Sequence, residues 1–362
     1  MSKNLYVDFH VIQTVPPSCV NRDDTGSPKT AIYGGTRRAR VSSQAWKRAM
    51  RRMFEESFAS GFSGYRTRKI KELVAEKICG IRSDIDRETA EKMAEKILNF
   101  AGVKGDSAKK DVLFFASTGQ IDRIAELAVE YREDPENKKE KEKTYKIRAA
   151  KALIENPSVD ILLFGRMAAG NPSLNYDAAA QVAHSISTHA VSNEYDYFTA
   201  VDDCEPMGAG HIGMAEFNSA TLYRYATVNV RELAGNLKQE ELKQAVRGFA
   251  EAFICAMPGG KQNSFANRTI PDLVYVTLRE DQPINLAGAF EKPVPARGEG
   301  YVSESKRALA DYAGNVYGYF AALPKQAWVS GEVPGEMGEN VNVKDLLEKL
   351  EEEIGKYCAE KE

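Results

Sequence analysis

The sequence is poor in cysteine, and its few cysteines follow no metal-binding pattern. The five residues Cys19, Cys79, Cys204, Cys255 and Cys358 are odd in number, widely separated and form no C-x-x-C pair. They indicate neither a disulfide framework nor a zinc ribbon, and a reducing compartment fits this usage. The four histidines include no H-E-x-x-H motif, so we expect structural histidines, no metal and no cofactor.

The chain also lacks a long apolar run. No stretch approaches the ~18 apolar residues that a membrane span needs, and the first residues have no charged-then-apolar signal layout. We therefore expect a cytoplasmic protein. With 362 residues, 43% of them hydrophobic, the chain has enough apolar material for one large or two ordinary domains.

Acidic residues are missing from one segment, although the whole chain carries a formal charge of −3. Residues 25–54 include eight basic residues and no acid, whereas residues 331–362 hold ten acids against four lysines. On a helical wheel that begins at Ser42, Trp46 and Met50 fall on one side and the cations on the other. A face of cations without acidic partners repels itself unless an anion lies on it. This distribution favours nucleic acid as a ligand over a merely solvated face.

Hydrophobic periodicity predicts the main elements along the chain. The expected elements are a strand at 4–15, a long irregular loop from 16 to 41, a basic helix at 42–58, helices throughout 66–155, a buried strand at 159–165, an amphipathic helix at 176–191, a turn-rich hairpin-like segment at 192–219, a strand at 220–230, a helix at 238–257, a strand at 272–280 and an acidic helix from 340. This order indicates an α+β core with large insertions.

Several short motifs allow more than one interpretation. "GAGHIG" at 208–213 spells G-x-G-x-x-G but precedes an expected strand, so we interpret it as a glycine-rich turn. "PGGKQNS" lacks the spacing of a P-loop, although Lys261 within it is a candidate phosphate contact. The pairs Asp23–Asp24 and Asp202–Asp203 have the chemistry to hold magnesium, but adjacent acids in loops are more often turn residues. The aromatics at 195–198 either stack on bases or fold back into the core.

Seven blocks of the sequence, in order, resemble the backbone-subunit family of type I-E CRISPR Cascade complexes, the CasC family of the Cas-seven superfamily. The blocks are "PSCVNRDD", "AIYGGTRRARVSSQAWKRAMRR", "FGRMA", "AHSISTHAV", "DYFTAVDD", "AEFNSATLYRYA" and "PGGKQNSFA". The resemblance runs from the first strand to about Glu291. The helical insert interrupts it, and the acidic C-terminus lies outside it.

The resemblance implies an RNA-recognition-like (ferredoxin-like) palm with a helical finger insertion and a thumb β-hairpin. We expect the palm at 1–65 and 159–362, the finger at 66–158, the thumb at about 192–222 and an acidic C-terminal helix at about 340–358. Several copies would assemble along the spacer of one CRISPR RNA, and each thumb would displace one base at regular intervals.

The resemblance and the basic segment together name the residues expected to touch nucleic acid. The RNA-binding candidates from the resemblance are Arg22, Lys29, Arg40, Ser42, Gln44, Lys47, Arg48 and Arg51 in the palm, Arg166 and Met167 beside the kinked nucleotide, and Phe198 and Thr199 in the thumb. The basic segment and the glycine-rich loop add Arg37, Arg38 and Lys261. The candidates for target DNA are Lys138, Lys139, Lys141 and Lys143, which alternate in part with Glu140 and Glu142.

The implied partners are the CRISPR RNA, the target DNA strand paired to it, further copies of the chain, other Cascade subunits and, indirectly, the helicase-nuclease that Cascade recruits. The resemblance therefore implies a scaffold without catalytic residues. One alternative is a metal-dependent ribonuclease that uses Asp23 or Asp24, because backbone subunits of type III complexes look similar and cut target RNA from the corresponding loop. A general single-strand binder is a third possibility.

Overall fold

The computed structural model describes residues 4–59, 61–103, 113–134, 138–168, 171–201, 203–204 and 209–359. The strands are β1 (Tyr6–Ser18), β2 (Thr30–Tyr33), β3 (Thr36–Val41), β4 (Tyr65–Thr67), β5 (Phe114–Ala116), β6 (Ala180–Val182), β7 (Ser185–Ser187), β8 (Glu194–Val201), β9 (Ala209–Asn229), β10 (Leu273–Arg279), β11 (Gln326–Ser330) and β12 (Glu339–Asn340).

The helices are α1 (Ser43–Ser57), α2 (Ile70–Ile81), α3 (Arg87–Phe100), α4 (Thr118–Glu133), α5 (Lys138–Ile154), α6 (Val159–Phe164), α7 (Val230–Leu233), α8 (Gln239–Cys255), α9 (Gln262–Phe265), α10 (Val302–Tyr319) and α11 (Val343–Ala359). Short 3₁₀ turns cover Pro172–Leu174 and Leu286–Phe290. Among these described helices, none combines the length and apolar character of a membrane span.

The chain divides into two compact units. The first comprises Met1–Met53 and Ala180–Glu362, and the second comprises Phe54–Ala179. In the described part of the first unit, ten strands form one sheet, ordered β12-β11-β10-β1-β9-β7-β3-β2, with β6 and β8 also paired to β9. The α+β fold class is therefore confirmed.

Strand β1 is the centre of the first unit because it lies between β9 and β10 and is antiparallel to both. Because successive side chains of a strand point to opposite faces, Val7, Phe9 and Val11 lie on the same face, and all three are fully buried. On that face the Phe9 ring lies 5.5 Å from the ring of Phe249 on α8. The long helix α8 therefore closes this side of the sheet.

The other face of the sheet is also covered. Ile12 and Tyr223 share one buried cluster with Phe290 of the second 3₁₀ turn and Leu309 of α10. Ordinary RNA-recognition domains stack bases on an open sheet face through aromatic side chains. Here that face is closed by the chain itself, so any nucleic acid is held elsewhere.

The second unit is mainly helical. Helices α2, α3, α4 and α5 bury one apolar cluster that includes Val74, Ala94, Ile124 and Tyr145. Strands β4 and β5 pair as a short antiparallel ribbon. The ribbon was not expected from sequence, because three-residue strands carry too few residues to show an alternating pattern.

Two predictions of secondary structure between 159 and 191 were wrong. Residues 159–165, expected as a strand, begin with helix α6, since a short apolar run does not distinguish a strand from a buried helix. Residues 176–191, expected as a helix, contain β6 and β7, whose backbones pair with β9. The alanine-rich pattern of residues 176–191 is typical of a helix, but pairing with β9 imposes a strand conformation on β6 and β7.

The expected irregular loop from 16 to 41 is also corrected, because it contains the β2–β3 hairpin. Gly34 and Gly35 form its two-residue turn with φ values of +57° and +72°, the left-handed conformation that such turns require. The strand expected at 4–15, the basic helix, the helix at 238–257, the strand at 272–280 and the acidic C-terminal helix are confirmed.

A buried carboxylate lies at the middle of the sheet. Asp8 is fully buried and accepts hydrogen bonds from the Tyr225 hydroxyl at 3.0 Å and the Ile284 amide at 2.8 Å. Burial raises the pKa of Asp8 to about 6 despite these bonds. The folded state therefore binds this proton more tightly than the unfolded state does. As a result, the free energy of unfolding rises as the pH falls through about 6, and the rise is complete below the unfolded-state pKa of 3.8.

We therefore predict that Asp8→Asn, which is neutral at every pH, is more stable than wild type at pH ~7 and that this advantage shrinks by about 1 kcal/mol at pH ~5. Urea unfolding of both proteins at the two pH values measures the difference. A constant difference between the two proteins would show that Asp8 does not titrate in this window.

Candidate nucleic-acid interface

Strand β3 carries three arginines with different surroundings. Arg37 is exposed, Arg38 is fully buried and Arg40 is partly exposed. Arg38 donates to the carbonyl oxygens of Ser187 at 3.0 Å and Phe290 at 2.9 Å. Since its guanidinium is occupied by backbone carbonyls, the expectation that Arg38 contacts RNA is corrected, and Arg38 instead ties β3 to the core.

The turn of the β2–β3 hairpin packs against the same region. A Cβ added to Gly34 would lie 1.6 Å from the carbonyl oxygen of Glu291, so only glycine fits there. Glu291 also accepts from Arg38 through its backbone carbonyl, at 3.2 Å. The turn and the buried arginine together hold the hairpin in place and leave Arg37 facing solvent.

Arg40 anchors a cationic cluster at the other end of β3. Its Nε donates to the Thr30 carbonyl at 3.2 Å, and its backbone amide donates to the Lys29 carbonyl at 2.9 Å. One terminal nitrogen, Nη1, lies 3.1 Å from Nδ1 of His184. Sequence reasoning assigned His184 a structural role, but the ring is exposed beside these cations. No sequence pattern indicated this, because only the β3–β7 pairing brings residues 40 and 184 together.

The loop that leads to β2 is attached to the basic helix and to the glycine-rich loop. The Asn21 side chain accepts from the Ser42 amide at 2.9 Å. A Cβ on Gly260 would lie 2.0 Å from the Val20 carbonyl oxygen, so the 258–266 loop touches this segment directly. Burial raises the pKa of the Cys19 thiol, and the positive charges of Lys261 and Arg22 act in the opposite direction.

Helix α1 presents its cations because its opposite face is buried. The backbone of Ala45 donates to the Ser42 hydroxyl at 3.3 Å, so Ser42 caps the helix. Ser42 is itself buried, and its hydroxyl oxygen accepts the capping bond; its assignment as an RNA contact stays a prediction. Trp46 and Met50 are buried, and the Trp46 indole donates to the Ser185 hydroxyl at 2.9 Å.

The opposite face of α1 bears the other candidate RNA contacts of this helix. Gln44 and Arg48 are exposed, and Lys47 and Arg51 are partly exposed. Burial lowers the pKa of Lys47, as expected for an ammonium group held near apolar atoms. The first turn of the helix contains no acid, so the positive N-terminal end of the helix dipole adds to the positive potential of these cations.

The thumb hairpin is formed by β8 and β9. Tyr197 is paired with Met214 and Phe198 with Gly213. A Cβ on Gly213 would lie 2.3 Å from the Phe198 ring, so this ring crosses the partner strand at the glycine. Phe198 is 46% exposed and Tyr197 73% exposed, and Thr199 is exposed. The aromatic side chains therefore project from the hairpin rather than folding into the core.

In the second unit, Arg166 is buried and Met167 is exposed. The Arg166 guanidinium donates to the carbonyl oxygens of Leu174 at 2.8 Å, Leu153 at 2.6 Å and Phe115 at 3.1 Å. Burial lowers its pKa to about 10. The expectation that Arg166 contacts RNA is therefore corrected, whereas Met167, at 81% exposure, has an accessible side chain.

The candidate lysines of α5 also differ in whether their side chains are exposed or buried. Lys139 and Lys143 are exposed. Lys141 is buried, donates to the Asp134 carbonyl and lies 4.5 Å from the centre of the Tyr131 ring, which corrects its assignment as a DNA contact. The side chain of Lys138 lies outside the described residues.

The acids of the alternative, metal-dependent site lie in an exposed turn that follows β1. The Asp23 carboxylate accepts from the amides of Thr25 and Ser27, both at 3.0 Å, so it closes a turn. The hydrogen bond from the Thr25 side chain lowers its pKa. Asp24 is exposed, and Asp202 lies outside the described residues. Among the described residues, no group of three or more His, Cys, Asp or Glu side chains is arranged to hold a metal ion.

The neighbouring residues Arg37 and Arg38 of β3 provide a matched test of the difference between an exposed and a buried arginine. We predict that Arg38→Gln lowers the free energy of unfolding by about 3 kcal/mol, because it leaves buried carbonyl oxygens without donors. Arg37→Gln should change it by no more than about 0.5 kcal/mol, as expected for an exposed side chain. Urea unfolding measures both, and equal effects would contradict the assignment.

Comparisons with known proteins show the family. The family model of CT1975-like proteins matches residues 7–353. A chain from a "CRISPR RNA-guided surveillance complex, pre-nicking" structure is 32% identical, with a TM-score of 0.80 over 96% of this chain and 100% of that chain. A chain from a "CRISPR RNA-guided surveillance complex" is 28% identical, with a TM-score of 0.74 over 96% and 99%. The search of curated proteins gave no match.

Both structural matches extend over nearly the whole of each chain, so the likeness includes both units. The family match likewise spans nearly the full sequence. The chain therefore belongs to the CT1975-like protein family.

Proposed function

We propose that this protein is a non-catalytic backbone subunit of a type I-E Cascade complex and that it binds the sugar–phosphate chain of a CRISPR RNA in the cytoplasm. The observation that carries the proposal is the set of solvent-facing cations along the 19–29 loop, β3 and α1, held in place by buried neighbours. Its members are Arg22, Lys29, Arg37, Arg40, Lys47, Arg48 and Arg51, and we call this set the cationic strip.

The strip has the chemistry for phosphates rather than for bases. Arginine and lysine bind phosphate oxygens, and such contacts position a strand without reading its sequence. The closed sheet face offers no aromatic platform for bases. A guide-displaying scaffold needs this division, because base pairing between guide and target then supplies the specificity.

The exposed thumb supports assembly of several copies. An isolated two-stranded hairpin is marginally stable in water, and this one exposes Tyr195, Tyr197, Ile212 and Met214. We propose that RNA and a neighbouring copy cover these side chains, with Phe198 and Thr199 at the displaced base. Met167 would lie beside the kinked nucleotide, Lys261 would add a phosphate contact, and Lys139 and Lys143 would touch the paired target DNA.

Other Cascade subunits would complete the particle, and the recruited helicase-nuclease would act on the target DNA. The alternative of a ribonuclease that uses Asp23 or Asp24 remains chemically distinct. Incubation of the assembled particle with complementary RNA and magnesium separates the two. We expect intact RNA; cleavage at regular intervals that is lost in Asp24→Ala would favour the enzyme.

The salt dependence of RNA binding tests the strip quantitatively. If ~6 phosphates are neutralised per subunit, log K should fall with log[salt] at a slope of about −4 for a single strand. The triple variant Lys47→Gln, Arg48→Gln, Arg51→Gln should reduce the slope by about 2, because three phosphate contacts are removed. Fluorescence anisotropy with two labelled RNAs of unrelated sequence measures the slope and its independence of sequence.

The matched control changes three lysines of helix α11, Lys344, Lys349 and Lys356, to glutamine. It removes the same net charge from the same unit. If both triple variants weaken binding equally, then overall charge rather than the strip holds the RNA, and the proposal fails.

A further inference from the structure

A histidine adjoins the cationic strip without having been assigned to it. His184 lies between β6 and β7, and Nη1 of Arg40 is 3.1 Å from its Nδ1. Arginine only donates hydrogen bonds, so Nδ1 of His184 accepts this bond. The ring is then neutral, with its proton on Nε2, which leaves that N–H as an additional donor on an exposed side chain.

The surroundings of His184 oppose a positive charge on the ring. Burial, the Arg40 guanidinium and the Lys29 ammonium group each lower its pKa. Arg40 comes from β3 and Lys29 from the loop before β2. Protonation at Nδ1 would also place two donors against each other at the Arg40 contact.

A bound phosphate would reverse this balance. An anion between the three groups accepts from Arg40 and Lys29 and attracts a charged imidazole, since an opposite charge nearby favours the charged form. The Arg40 nitrogen can then donate to a phosphate oxygen instead of to Nδ1. Nδ1 becomes available for a proton from solvent.

We propose that Lys29, Arg40 and His184 form one phosphate site that takes up a proton from solvent when the RNA backbone binds. His184 becomes an imidazolium whose N–H groups donate to the phosphate. RNA affinity is therefore coupled to pH at this one site. The inference rests on the proposed function, because it needs an RNA strand on the cationic strip.

The coupling has a defined sign. Since the bound state holds the extra proton more tightly, affinity rises as the pH falls through the pKa of the complex and levels off below the pKa of the unbound protein. We expect wild type to bind single-stranded RNA several-fold more tightly at pH ~5.5 than at pH ~8, with about tenfold as the upper limit for a shift of one unit between the two states.

His184→Gln tests the coupling directly. Glutamine keeps a side-chain N–H but does not titrate, so the variant should bind at pH ~8 about as wild type does and lose the pH dependence. Asp8→Asn is the matched control, because the pKa of Asp8 lies at about 6 but the residue is buried in the core. It should retain the full pH dependence of wild type, and thermal melting confirms that both variants fold.

The salt slope gives an independent readout. One additional cation at low pH should make the slope of log K against log[salt] steeper by about 0.7 in wild type and leave it unchanged in His184→Gln. An equal pH dependence in wild type and His184→Gln would overturn the inference while leaving RNA binding intact. Absence of RNA binding at every pH would instead contradict the proposed function itself.

Discussion

Positive charge held at the surface by a buried support is the feature on which the candidate interface of the first unit depends. Like charges one turn apart destabilise a helix by a small amount, and the packing of the opposite face offsets this loss. Trp46 and Met50 supply that support on α1, and Arg38 supplies it on β3. Core packing thus holds the cations of β3 and α1 at the surface.

Arginine has two different roles in this chain. Arg38, Arg166 and Arg224 are buried and donate to backbone carbonyls or amide oxygens, and the Arg224 guanidinium also lies 3.9 Å from the centre of the Trp46 ring. Arg37 and Arg48 are exposed. Burying a guanidinium group costs free energy, and hydrogen bonds to its donors offset that cost. The basic segment therefore supplies both the surface and part of the framework that holds it.

The sequence indicated the amphipathic basic helix and the strands β1 and β10, because a strong apolar period reports burial directly. It did not indicate β6 and β7, whose conformation depends on pairing with a distant strand. For the same reason it could not separate Arg38 from Arg37, since which arginine points inward depends on the β3 register. His184 was missed because its neighbours are 144 and 155 positions earlier in the sequence.

Ultraviolet crosslinking of RNA to the purified particle, followed by mass spectrometry of the crosslinked peptides, tests the central claim most directly. The account predicts crosslinks concentrated in peptides from residues 19–52, with further ones from the thumb. Crosslinks confined to other parts of the chain, such as the acidic helix α11, with none from residues 19–52, would contradict it.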